Sequence, residues 1–161
     1  MTVAVEIPTA AGMRLLGERL AGLLRAGDLV VLTGSLGAGK TTLAQGIGLG
    51  LGVRGAVTSP TFVIARVHPP LASGPALVHA DAYRLGGALE VDDLDLDASL
   101  ADSVTLVEWG HGLVEGLAAD RLDIEISRST ADTEIRRVLV TAHGTRWDDD
   151  QLAAAVSAAP R

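Results

Sequence analysis

The stretch Asp28–Thr42, DLVVLTGSLGAGKTT, decides how the rest of the chain is read. Its opening, Asp28 to Thr33, is short and continuously apolar, the pattern of a strand buried on both faces of a parallel sheet. Gly34 to Thr41 then matches G-x4-G-K-[ST] between a strand and a helix, the context a phosphate-binding loop requires. A random chain of this composition and length would carry about 0.002 such matches. In such a loop the backbone N–H groups of Gly34, Ser35, Leu36, Gly37, Ala38, Gly39, Lys40, Thr41 and Thr42 wrap phosphate oxygens, and the helix N-terminus adds its positive end. Gly37 and Gly39 let the backbone come close. Lys40 reaches the β and γ phosphates of a bound nucleotide, and the Thr41 hydroxyl ligates Mg²⁺. Lys40 is also the single lysine among 13 basic residues. A narrow site shaped for a compact ammonium does not accept the planar guanidinium fork.

Upstream, Val3 to Ile7 reads as a short edge strand. Thr9 caps a helix whose apolar positions Met13, Leu16, Leu20, Leu23 and Leu24 recur at helical spacing, and Gly27 ends it. Downstream, the helix from Lys40 carries Gly46, Gly48, Gly50 and Gly52, each costing up to about 1 kcal/mol relative to alanine. Strands are predicted at Phe62–Val67, Ala76–Ala80, Ser103–Val107, Leu122–Ser127 and Val138–Ala142, and helices near 86–101, 111–118 and 148–158. The expected architecture is one α/β domain over residues 1–161 with a P-loop NTPase fold. Its central sheet is mixed and mainly parallel, with flanking helices and a late antiparallel segment, because the later connections are too short for crossover helices.

A P-loop enzyme needs an acid near Mg²⁺, and two apolar strands end in one: ALVHAD at Asp81 and VTLVE at Glu108. Ligands of open α/β sheets collect at such strand ends. Lys40, Asp81 and Glu108 are therefore the candidate catalytic residues, and Thr41, Asp81 and Glu108 the candidate Mg²⁺ ligands. His79 shares a strand face with Asp81 and can carry a proton or orient a neighbour. His68, His111 and His143 lack companion spacing and read as structural. Three of the four aromatics, Phe62, Tyr83 and Trp109, fall in these same neighbourhoods. Thr58, Ser59 and Thr61 flank Pro60 where a γ-phosphate-sensing switch would sit.

Composition narrows the function further. The net charge is −7, yet nine of the 20 acids lie in two runs, Glu90–Asp102 and Asp148–Asp150, leaving 11 acids against 13 bases elsewhere. Such a chain lacks the basic footprint for holding nucleic acid alone, so any nucleic acid is expected to be held by a partner. The acidic run from Glu90 reads as a solvated face or a partner-docking surface. The absence of cysteine removes disulfides, thiol chemistry and Cys-ligated zinc. No window approaches the roughly 20 apolar residues that span a bilayer, and no basic segment precedes an apolar run at the N-terminus. A cytoplasmic protein without membrane contact is expected.

GSLGAGKTT, TSPTF, HADAYR and VEWG, in this order and at these separations, resemble the bacterial TsaE (YjeE) family of small P-loop ATPases. The resemblance runs from about Thr9 to Gly144 and includes the RRV segment from Arg136. It implies ATP hydrolysis in making tRNA threonylcarbamoyladenosine, with TsaD and TsaB type proteins as partners and no transfer of the carbamoyl group by this chain itself. By position, Lys40 and Thr41 keep their phosphate and Mg²⁺ roles. Glu108 matches the family's metal-associated acid, Asp81 the acid of its H-x-D-x-Y-R motif, and Trp109 follows Glu108 as in the family. Thr9 and Arg136 fall where the family approaches the nucleotide from outside the loop. Ser35 departs from the aspartate common in relatives, which bears on a loop carboxylate and not on phosphate binding.

Two other functions share the P-loop. A small-molecule or nucleotide kinase would want a basic lid, whereas Glu90–Asp102 is acidic; a non-catalytic nucleotide-gated interaction module would not need hydrolysis. A guanine-specific switch is disfavoured, because the usual N-K-x-D base-reading motif needs asparagine and this chain has none.

Overall fold

The computed structural model describes residues 1–35, 37–55, 57, 65–81, 101–108, 116, 118–130 and 134–158. β1 (Thr2–Ile7) and α1 (Ala10–Ala21) lead to β2 (Leu29–Gly34), the phosphate loop and α2 (Lys40–Leu51). There follow β3 (Ala65–His68), β4 (Ala76–Asp81), β5 (Ser103–Glu108), β6 (Arg121–Arg128), β7 (Arg136–His143) and α3 (Asp149–Ser157). The strands form one seven-stranded sheet in the order β1-β7-β6-β2-β5-β4-β3.

β2 lies at the centre, and β5 and β6 both run parallel to it. β4 extends the parallel set on β5. The outer pairs β6–β7, β1–β7 and β3–β4 are antiparallel. The mixed sheet therefore matches expectation, and β7 is the anticipated late antiparallel strand. β6 differs. Short-link reasoning assumes that consecutive strands are neighbours, but β5 and β6 flank β2 from opposite sides, and both run parallel to it.

Alternation along the strands sends one set of side chains into a single core. Val30 and Leu32 of β2, Val104 and Leu106 of β5, Leu122, Ile124 and Ile126 of β6, and Val138 and Val140 of β7 are all buried in it. The same cluster takes Met13, Leu16 and Leu20 of α1, Leu43 and Ile47 of α2, and Leu152 and Val156 of α3, so these helices share one face of the sheet.

The glycines of α2 explain how its two neighbours fit. A Cβ on Gly50 would lie 2.8 Å from the Glu18 carbonyl oxygen, one on Gly17 of α1 2.8 Å from the Ile47 nitrogen, and one on Gly46 would collide with the Arg14 carbonyl. Here α1 and α2 pack backbone against backbone, which a propensity scale counts only as a cost. Thr9 caps α1 as expected, its Oγ1 accepting from the Gly12 N–H at 3.0 Å. The helix stops at Ala21, earlier than Gly27. Leu23 and Leu24 continue it only through turn bonds to Leu20 and Ala21, and Gly27, at φ 97°, belongs to the turn entering β2.

A part-buried ion pair ties the C-terminal segment to that turn. Arg146 Nη2 donates to the Leu23 carbonyl at 2.6 Å and to the Asp28 carboxylate, which also accepts the Arg25 N–H at 2.8 Å. The guanidinium lies 4.0 Å from the centre of the Trp147 ring. Burial pushes the Asp28 carboxyl above its ordinary value of 3.8, and the Arg25 N–H and Arg146 offset this only in part. A carboxyl raised on folding favours the folded state at low pH. That contribution is lost as pH climbs from 3.8 through the raised value.

Two substitutions test this packing. Gly46→Ala, which helix propensity alone would reward, is expected to lower stability by about 2 kcal/mol in urea unfolding, because backbone must move. Arg146→Met is expected to cost about 3 kcal/mol at neutral pH by leaving Asp28 charged and unpaired. Repeated towards acid pH, the Arg146→Met loss should shrink as Asp28 takes up its proton.

Candidate functional site

The strand–loop–helix unit is built by local rules. Gly34 ends β2 against β6, where a Cβ would lie 2.8 Å from the Ile126 carbonyl oxygen. The loop then turns through an Ala38 N–H to Ser35 carbonyl bond of 3.0 Å. Gly37 and Gly39 hold φ 75° and 110°, the left-handed region that glycine enters without strain. Gly39 is the N-cap of α2 and has no side chain to cap the first turn, so the helix presents its positive end to the loop.

Lys40, only 7% exposed, opens the helix. Its ammonium donates to the Gly34 carbonyl at 2.6 Å and to that of Ser35 at 3.0 Å. Burial pulls its pKa below the ordinary lysine range, while the nearby Glu108 and Asp81 carboxylates oppose that shift by stabilising the cation. Thr41 and Thr42 follow in the first turn of α2, half-buried.

The two acids come together. Asp81 and Glu108 are Cα partners at the ends of parallel β4 and β5, and Glu108 is in turn the partner of Leu32 on β2, two residues before the loop. Glu108 is buried, and its Oε2 lies 3.0 Å from His79 Nε2, with the imidazole wholly buried. Asp81, Glu108 and His79 thus gather near Lys40 where the loop meets α2.

On the loop's other side lies a cleft of about 400 Å³ between Pro8, Thr9, Ala10 and Met13, the loop residues Gly37, Ala38, Gly39 and Thr42, and Glu134 with Arg136. Thr9 and Arg136 therefore both reach the loop from outside it. Arg136 Nε donates to the Ala38 carbonyl at 3.1 Å and its Nη2 to that of Gly37 at 3.5 Å, bracing the loop from β7.

Sequence reasoning missed three neighbours of the site. Met13, read as core, also touches the loop: a Cβ on Gly39 would lie 3.5 Å from its Cε. Glu134 lines the cleft and pairs with Arg136 at 3.9 Å. Arg128, the register partner of Arg136, brings its Nη2 within 3.8 Å of where a Gly37 Cβ would be. The RR at Arg136 carried a signal, whereas Arg128 had none before the β6–β7 register was known. Of the remaining histidines, His143 pairs with Asp123 at 2.8 Å and His68 is buried, both consistent with structural roles. Leu36, Thr58, Ser59, Thr61, Phe62, Tyr83, Trp109, His111 and the run from Glu90 to Asp97 lie outside the described residues, as do residues 86–100, 111–115 and 117 of the helices expected near 86–101 and 111–118.

The family model for "Threonylcarbamoyl adenosine biosynthesis protein TsaE" matches residues 7–138. The chain belongs to the TsaE family. It is 68% identical over 138 residues to the TsaE protein of Streptomyces coelicolor, covering 84% of this chain and 93% of that one. With the Mycobacterium tuberculosis TsaE protein it shares 50% over 137 residues, covering 80% and 82% of the two chains. The Bacillus subtilis TsaE protein is 40% identical over 129 residues, at 80% and 78% coverage. Among solved structures, Bacillus subtilis YdiB superposes with a TM-score of 0.75 at 30% identity, covering 98% of this chain and 95% of that one. The TsaE fold and the family's place in tRNA threonylcarbamoyladenosine biosynthesis thus apply to this chain. Among the described residues no helix is long and apolar enough to cross a membrane.

The bracing of the loop by Arg136 can be tested without any ligand. In Arg136→Ala, amide hydrogen exchange in the peptide spanning residues 35–42 is expected to accelerate roughly tenfold, as loss of a charge-assisted hydrogen bond implies. Unchanged exchange would show that the guanidinium does not hold the loop.

Proposed function

We propose that this chain is a Mg²⁺-dependent ATPase that supports tRNA threonylcarbamoyladenosine modification by binding a transferase complex of TsaD and TsaB type proteins and driving its turnover. One observation carries this reading: a buried ammonium on a glycine-rich loop, at a helix N-terminus, faces two carboxylates that end adjacent parallel strands. An anion bound there meets backbone N–H groups and Lys40 together. Charge developing on a transferring phosphoryl group is stabilised by donors already in place.

The donor set suits a hard cation. Thr41 supplies a hydroxyl and Glu108 and Asp81 carboxylates, oxygen ligands of the kind Mg²⁺ takes beside substrate phosphates. Bound there, Mg²⁺ would neutralise phosphate charge. Asp81 or Glu108 orients or activates the attacking water. The cleft of Thr9, Met13 and Arg136 takes the base and ribose outside the loop. tRNA is met through the assembled complex, in keeping with a net charge of −7.

Single-turnover hydrolysis by Lys40→Ala is expected to fall about 100-fold, near 3 kcal/mol of transition-state stabilisation. Glu108→Ala is expected to lose ordinary Mg²⁺ dependence. ATP turnover measured alone, then with the transferase pair, then with tRNA, should rise most on adding the pair. Robust solitary turnover would point to an independent enzyme, and phosphoryl transfer to nucleosides, sugars or vitamins faster than to water would make it a kinase.

A further inference from the structure

Among the described residues, His79 is a buried polar group beside Lys40 and Glu108 that the proposed mechanism leaves without a task. It sits on β4 two residues before Asp81, on the same face, and its register partner on β5 is Leu106, two residues before Glu108. Its Nε2 lies 3.0 Å from Glu108 Oε2, with the imidazole 0% and the carboxylate side chain 4% exposed. Its other nitrogen, Nδ1, is buried with no hydrogen-bond partner among the described residues. A neutral imidazole carries one N–H, and a buried N–H without an acceptor costs more than a buried lone pair. The proton therefore belongs on Nε2, donated to Glu108.

That bond engages a single carboxylate oxygen. It leaves Oε1 outside that bond and removes the rotamer freedom that would otherwise let the glutamate swing across the site. We propose that His79 is a positioning residue: its Nε2–H locks the Glu108 carboxylate in the one orientation that serves the loop. This rests on the reading of Glu108 as the site's working acid.

Side-chain length makes the role separable from space-filling. A glutamine amide reaches to about the place of Nε2, an asparagine amide only to that of Nδ1, and leucine fills volume without donating. Hydrolysis by His79→Gln, His79→Asn and His79→Leu would be compared with Glu108→Gln across a Mg²⁺ titration. Affinity for Mn²⁺ in the presence of ADP would be read by electron paramagnetic resonance, and folding by thermal melting. His79→Leu and His79→Asn are expected to lose about tenfold in kcat and to weaken Mn²⁺ binding severalfold, with KM for ATP within about twofold of wild type. His79→Gln should recover most of both.

Nuclear magnetic resonance of the nucleotide-free protein should show a slowly exchanging ring N–H for His79 that Glu108→Ala abolishes, a readout that survives if a His79 variant fails to fold. Wild-type behaviour of His79→Leu, a glutamine no better than leucine, or a ring proton indifferent to Glu108→Ala would each overturn the proposal. If Glu108→Gln is impaired and His79→Leu is not, this proposal alone falls. If Glu108→Gln itself behaves as wild type, the parent reading of Glu108 falls and takes this one with it.

Discussion

A buried ammonium cannot be left dry, and that requirement at Lys40 organises the molecule around it. Taking a lysine to 7% exposure demands acceptors and counter-charge. The acceptors are carbonyls of its own loop, brought within 3.0 Å because the loop folds back on glycines. The counter-charge comes from Asp81 and Glu108, carboxylates that reach the same sheet end only because β4, β5 and β2 run parallel and in register. Strand direction, loop shape and acid placement are therefore conditions on one another. Moving any of them would strand a charge in the interior.

Helix packing serves the same end. α2 must begin at the loop, and α1, which carries Thr9 at its N-cap and Met13 beneath Gly39, must lie close enough for those residues to face it. Gly17, Gly46 and Gly50 supply that closeness by removing the side chains between the two backbones. The local cost of glycine in a helix is offset by an approach that larger residues would block.

The parts of the fold that were legible in the sequence are those written locally. The strand–loop–helix unit is spelled by apolar run, glycine spacing and lysine within Asp28–Thr42. Asp81 and Glu108 each announce themselves as an acid ending an apolar strand. What was hidden depends on adjacency in space. The direction of β6 follows from its seat across β2 from β5, which a link length does not encode. The α1–α2 glycines look like weakness until the partner backbone is present. His79 shows its strand face in the sequence, but its partner is 29 residues away. Arg128 reaches the loop only through its pairing opposite Arg136.

The outer side of the loop is assembled from elements far apart in the chain. β1 pairs with β7, Thr2 opposite Thr141 and Ile7 opposite Arg136, so Thr9 and Arg136 meet across nearly the whole sequence. On the ribosome, the glycine-rich loop and the two carboxylates emerge long before β7 can close over β1. The cleft beside the loop is thus among the last features to form. Contacts of such long sequence separation slow folding, since loop-closure entropy must be met before they contribute. A nascent chain released before Glu134 would carry the glycine-rich loop and both acids yet lack the wall that completes the cleft.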